Sequence, residues 1–145
     1  MAALSGCSPA TRELDPGFGP SDIDYVEIYG YDYSGAPPEV SLITVTDRAL
    51  LDSLGLLDLL VDKPVSDLDP DLADRVVGAP ADGLRYVLRD GTTYEVTQVF
   101  VAVDEVVLIW PDGTAAESTF GSPISSEIEG MRPADPEDRP LADLP

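Results

Sequence analysis

The stretch Leu84-Arg85-Tyr86-Val87-Leu88-Arg89-Asp90-Gly91-Thr92-Thr93-Tyr94-Glu95-Val96 reads as two strands joined by a tight turn, and its register decides which side chains share a face. Asp90-Gly91 is the turn signal, because glycine reaches the left-handed region at no steric cost. A two-residue loop would pair Leu88 with Thr93 and Tyr86 with Glu95, setting a carboxylate on the apolar face of Leu84, Tyr86 and Leu88. A three-residue loop, Arg89-Asp90-Gly91, pairs Tyr86 with Tyr94 and Leu84 with Val96 instead. Slipping by one residue moves every side chain to the opposite face, so the register matching apolar with apolar is the one expected. It also sets Arg85 opposite Glu95 as a cross-strand ion pair. Pro111-Asp112-Gly113 repeats the turn chemistry, with proline fixing φ and glycine taking the left-handed position.

Outward from this hairpin, strand patterns fall at residues 25–31, 40–45, 84–88, 92–103 and 106–110, with a weaker one at 114–119. Between the second and third, Thr46-Asp47 opens a helix, the hydroxyl capping free amides and the carboxylate meeting the positive end of the dipole. Leu50, Leu54, Leu57 and Val61 recur at helical spacing, with Leu51 and Leu60 widening the stripe. Gly55 divides the stripe into two short helices, and Lys63-Pro64 ends it. The expected fold is α+β: an antiparallel sheet of about five or six strands with one helix, broken at Gly55, packed on one face in ββαβββ order. It resembles, in outline only, the small ββαβββ domains of bacterial lipoproteins.

Composition narrows the function. The chain has 145 residues, 28 of them acidic and 8 basic, for a net charge of -20. That field repels nucleic acid and anionic headgroups and favours cations or basic protein surfaces, so no nucleic-acid partner is expected. Lys63 is the single lysine, and neither histidine nor asparagine occurs, as in a high-GC genome or a halophile. The absence of histidine removes the commonest general base, Ser-His and Cys-His pairs and histidine metal sites. No phosphate-cradling glycine loop appears either, and no cofactor is expected. Because Cys7 is the only cysteine, the core stands without an internal disulfide.

Two patterns carry candidate chemistry. Asp67, Asp69 and Asp71 have the alternate-acid spacing of a calcium loop, in which every second residue offers an oxygen. The match stops at Leu72 and Gly78, where an EF-hand places its glycine and its bidentate glutamate. Tyr25, Tyr29 and Tyr31 share one strand face and Tyr33 extends the row, giving an expected partner-binding face of flat, amphipathic rings. Trp110, alternating with Leu108 and Val106, reads as a hairpin-packing residue.

Leu4-Ser5-Gly6-Cys7 resembles the lipobox of bacterial lipoproteins. The resemblance implies diacylglycerol on Cys7, cleavage before it, and anchoring at the extracellular face of the cell envelope. A complete signal has a basic stretch and an apolar run of about 7–15 residues before the cleavage site. Met1–Leu4 supplies neither, so the reading expects them upstream; without them the chain stays soluble in the cytoplasm. The division expected is a signal remnant at 1–7, a flexible tether at 8–22, the domain at 23–120, and a disordered Pro- and acid-rich tail at 121–145. Together these describe a lipid-anchored, non-enzymatic interaction domain with a protein or envelope partner. A Ca²⁺-responsive acidic module is the alternative, and a carboxylate hydrolase a third reading, requiring two acids converging in a pocket.

Overall fold

In the computed structural model, which describes residues 11–33, 39–119 and 123–140, the central hairpin has the three-residue loop. Arg85 lies opposite Glu95, Tyr86 opposite Tyr94 and Leu84 opposite Val96. Gly91 holds φ at +88°. Asp90 Oδ1 accepts from both the amide and the hydroxyl of Thr92. The turn after Pro111 is built alike: Gly113 has φ +87°, and Asp112 Oδ1 accepts the same two bonds from Thr114.

Among the described residues the strands are β1 (Thr11–Glu13), β2 (Ile23–Asp32), β3 (Ser41–Val45), β4 (Pro64–Asp67), β5 (Pro80–Leu88), β6 (Thr93–Ala102), β7 (Glu105–Ile109), β8 (Ala115–Ser118) and β9 (Arg132–Pro133). They form one antiparallel sheet in the order β1-β4-β8-β7-β6-β5-β2-β3-β9. Two short α-helices among the described residues, α1 (Arg48–Ser53) and α2 (Pro70–Ala73), accompany it. The α+β expectation of five or six strands under a leucine helix is therefore corrected to a β-rich fold.

The correction has local causes. Asp47 caps α1 by accepting from the Ala49 amide, but the helix stops at Ser53, and Gly55 turns the chain away at φ +74°. Leucines that would form the second half of a helical stripe instead line an irregular loop, which buries Leu56 and Leu60 outside any helix. A buried apolar set at helical spacing needs only a route that returns to the core, and an irregular loop supplies it. The extra strands are short pieces from segments without alternation. β1 pairs with β4, β4 with β8, and β9 with β3.

The sheet is apolar on both faces. Val26, Ile28, Leu84, Tyr86, Val96 and Leu108 face one side, under Leu51, Leu56, Leu60 and Ile124. Tyr29, Tyr31, Ala81, Val99, Val107 and Ile109 face the other, under Leu72 and Val76. A register shift between Ile23 and Tyr25 puts Ile23 on the same face as Val26, as a bulge of one extra residue does. Packing also extends beyond residues 23–120. Leu14, in the segment read as tether, is buried, and Phe18 meets Tyr86 and Tyr94 at ring distances of 5.5 and 5.3 Å. Ile124 and Pro140, in the segment read as tail, are buried as well.

Candidate functional site

Arg85 is the charged centre of the tyrosine-bearing face. Its position opposite Glu27 on β2 and Glu95 on β6 follows from the register of three adjacent strands. The guanidinium donates to Glu95 Oε2 at 2.7 Å, to Glu27 Oε1 at 3.0 Å and to the Tyr29 hydroxyl at 2.8 Å. A fourth bond reaches the Asp138 carbonyl at 2.8 Å. Partial burial lowers its pKa, but the hydrogen bonds of Glu27 and Glu95 outweigh that and hold it above the usual arginine value. Burial pushes the Tyr29 phenol up, against the opposing charge of Arg85.

The tyrosines lie on one face, as their alternation requires, but the face is covered. Tyr29, Tyr31 and Tyr33 are 2%, 8% and 3% exposed, while Tyr25 is half-buried. An exposed tyrosine stripe is therefore not what the fold presents. Tyr31 shares a hydrogen bond with Thr97 Oγ1 at 3.2 Å. Its ring carries the Arg139 guanidinium at 5.4 Å from the centroid. Burial also raises the Tyr31 pKa.

Beside Tyr31, where β2, β3 and β5 meet the C-terminal segment, an open cleft of about 650 Å³ is lined by Gly30, Tyr31, Val40, Ser41, Ala81 and Ser125, with residues 131–134 as one wall. Asp32 and Glu39 are exposed on its border. Next to it the buried Asp82 anchors the chain after β8: its carboxylate accepts the Ile124 amide at 2.6 Å, the Ser125 amide at 3.3 Å and the Ser125 hydroxyl. Burial drives the Asp82 pKa up, and these bonds only partly oppose it. Gln98, opposite Asp82 on β6, is fully buried with neither amide atom partnered.

The acidic loop does not gather. Asp67 sits 3.6 Å from Arg12 on β1, and Asp69 caps α2 by accepting from the Asp71 amide at 2.8 Å. Asp69 and Asp71 border a second cleft of about 420 Å³ together with Glu105, which Arg75 neutralises at 2.7 Å. Among the described residues no three His, Cys, Asp or Glu side chains converge as metal ligands. Trp110 donates from Nε1 to the Tyr94 hydroxyl at 2.7 Å and packs against the core. Cys7 lies outside the described residues.

Sequence reasoning found the Arg85–Glu95 pair but not Glu27 or Asp138, which arrive from distant segments. It also passed over Asp82, whose signal was a lone carboxylate inside Ala81-Asp82-Gly83-Leu84, on the side facing the core. Set against known proteins, the chain matches no family model, no curated protein and no solved structure. No helix among the described residues is long and apolar enough to cross a membrane.

Proposed function

We propose that this protein is a non-enzymatic interaction domain, held at the outer face of a bacterial membrane by lipid on Cys7, which meets a partner protein at the cleft beside Tyr31. The observation that carries the reading is the strand order. The strand nearest Cys7, β1, forms one edge of the sheet, whereas β2, β3 and β9, which border the cleft, lie at the other. From Cys7 to Thr11 the chain reaches about 14 Å at full extension, so an acylated Cys7 would hold the β1 edge near the headgroups. The strands lining the cleft lie five to eight steps across the sheet from β1, so at about 4.8 Å per step its middle would stand roughly 30 Å from that edge. The acidic charge adds to this by repelling anionic lipid.

The charged clusters support binding rather than catalysis. Arg85 spends its donors on four internal acceptors, and Asp82 accepts three internal donors, so each holds the fold together. Asp32 and Glu39 outnumber Arg132 at the cleft, which leaves it suited to a neutral or basic segment.

The test places a secretory leader upstream of Leu4 in a bacterial host and measures intact mass and membrane partition. A membrane-bound species beginning at acylated Cys7 is expected. In that species, a thiol introduced as Glu39→Cys should react faster with a bulky polymer maleimide than one introduced as Arg12→Cys. A processed chain that stays soluble and unacylated would overturn the anchor, and equal thiol rates would overturn the orientation.

A further inference from the structure

The tyrosine-bearing face is covered, next to the cleft, by a short segment of the chain itself. Residues 136–138 form a single 3-10 turn, started by Pro136 and capped by Asp135, which accepts from the Glu137 amide at 3.0 Å. Three contacts hold this segment to the sheet. Arg85 donates to the Asp138 carbonyl, Arg139 lies over the Tyr31 ring, and Pro140 fills the space above Gly83. A Cβ on Gly83 would come within 3.0 Å of Pro140 Cδ and 3.2 Å of Tyr31 Cε1. Glycine thus leaves a slot, bounded by an aromatic ring, that accepts a proline ring.

We infer that Tyr31, Gly83 and Arg85 form a recognition groove for an Arg-Pro pair on a partner protein, and that Arg139-Pro140 occupies it as an internal stand-in. Each element of the groove reads one feature of such a segment. The Tyr31 face attracts a guanidinium through its ring quadrupole. The slot over Gly83 admits proline, which brings little conformational entropy to lose. Arg85 donates to a backbone carbonyl and thereby fixes the direction of the peptide.

Charge argues for a partner segment over the chain's own. The internal occupant carries Glu137 and Asp138 beside its Arg139, on a molecule of net charge -20. An Arg-Pro segment without those acids would keep the three contacts and bring an undiluted positive charge to an acidic molecule. The internal copy competes through proximity, since a tethered ligand acts at an effective concentration on the order of millimolar.

This inference rests on the binding-domain reading but not on the anchor, so it is tested in solution with the full chain, whatever the fate of Cys7. The probe is a fluorescent peptide with the sequence of residues 134–140, carrying serine at the positions of Glu137 and Asp138. Its anisotropy is followed against the wild-type chain and against the double variant Arg139→Ala/Pro140→Ala, with circular dichroism to show that both are folded. The expected result is binding to the double variant at least tenfold tighter than to wild type, abolished by alanine in place of the peptide's arginine and by Tyr31→Leu. Equal affinity for the two folded chains, or none for either, would overturn the groove. A concentration-dependent dimer of the wild-type chain, with no peptide binding to the double variant, would assign the groove to exchange of tails between copies and overturn the partner.

Discussion

At the scale of single residues, Arg85 shows how one side chain ties together segments far apart in sequence. Glu27, Glu95 and Asp138 meet through it, and the side chain is only 23% exposed. Removing a partly buried cation leaves its carboxylates unpaired, which costs more than the pair itself contributes. Discounted for the residual solvent at the site, Arg85→Met should lower unfolding free energy by about 2 kcal/mol. Urea denaturation measures it, and adding Glu27→Gln and Glu95→Gln should return part of the loss, because the penalty lies in the stranded charges. A fully additive loss would mean that Arg85 acts through packing of its stem instead. Half of this site was legible in the sequence. Alternation across the Asp90-Gly91 turn places Arg85 beside Glu95, whereas the approach of Glu27 depends on β2 pairing with β5, which no local signal specifies. The tyrosines divide in the same way: period two gives their common face, but what covers that face comes from Leu72, Val76 and Pro140, far along the chain.

At the scale of elements, the long strands were readable, as was the four-residue β8 after its Pro111-Asp112-Gly113 turn, while β1, β4 and β9 were not. A strand as long as β2 or β6 displays its alternation, while β1, β4 and β9 hold three, four and two residues and display none. The leucine-rich segment misled for a different reason: burial was read correctly, but periodicity does not distinguish a helix from a loop that buries the same residues. Gly55 is where the two alternatives part. Its φ of +74° suits glycine, and no atom lies within 4 Å of where a Cβ would stand, so a substitution there meets backbone strain and no clash. Gly55→Ala should therefore cost about 1 kcal/mol, read as a lower urea midpoint with an unchanged slope. Were the segment free to become the continuous helix its spacing suggests, alanine would stabilise the protein by a similar amount.

At the scale of the whole molecule, charge governs how stability responds to acid. With a net charge of -20, like charges repel within the folded chain, and protonation or salt relieves them. Asp82 adds a local contribution of the same sign. Burial raises its pKa in the folded protein against the pull of its bonds to Ser125 and Ile124, and Glu127 raises it further. Between the ordinary carboxylate pKa of about 3.9 and the raised one, the folded state binds more protons than the unfolded state, so stability falls as pH rises through that window. Asp90 and Asp112 act in the opposite direction. Their hydrogen bonds from Thr92 and Thr114 depress their pKa values, giving stability that is present at neutral pH and lost as pH falls through the depressed values. The two opposing sets titrate in different ranges, which gives a stability maximum on the acid side of neutrality. The thermal midpoint should rise as pH falls from neutrality through the raised Asp82 pKa and decline again as pH falls through the depressed values of Asp90 and Asp112. Adding about 0.5 M NaCl should remove the diffuse part of that rise, and Asp82→Asn the local part, since asparagine keeps an acceptor for the Ile124 amide without the buried charge. If the rise persisted at full size in the variant at high salt, neither repulsion nor Asp82 would be its source, and the cost assigned to holding the chain after β8 on a buried carboxylate would be wrong.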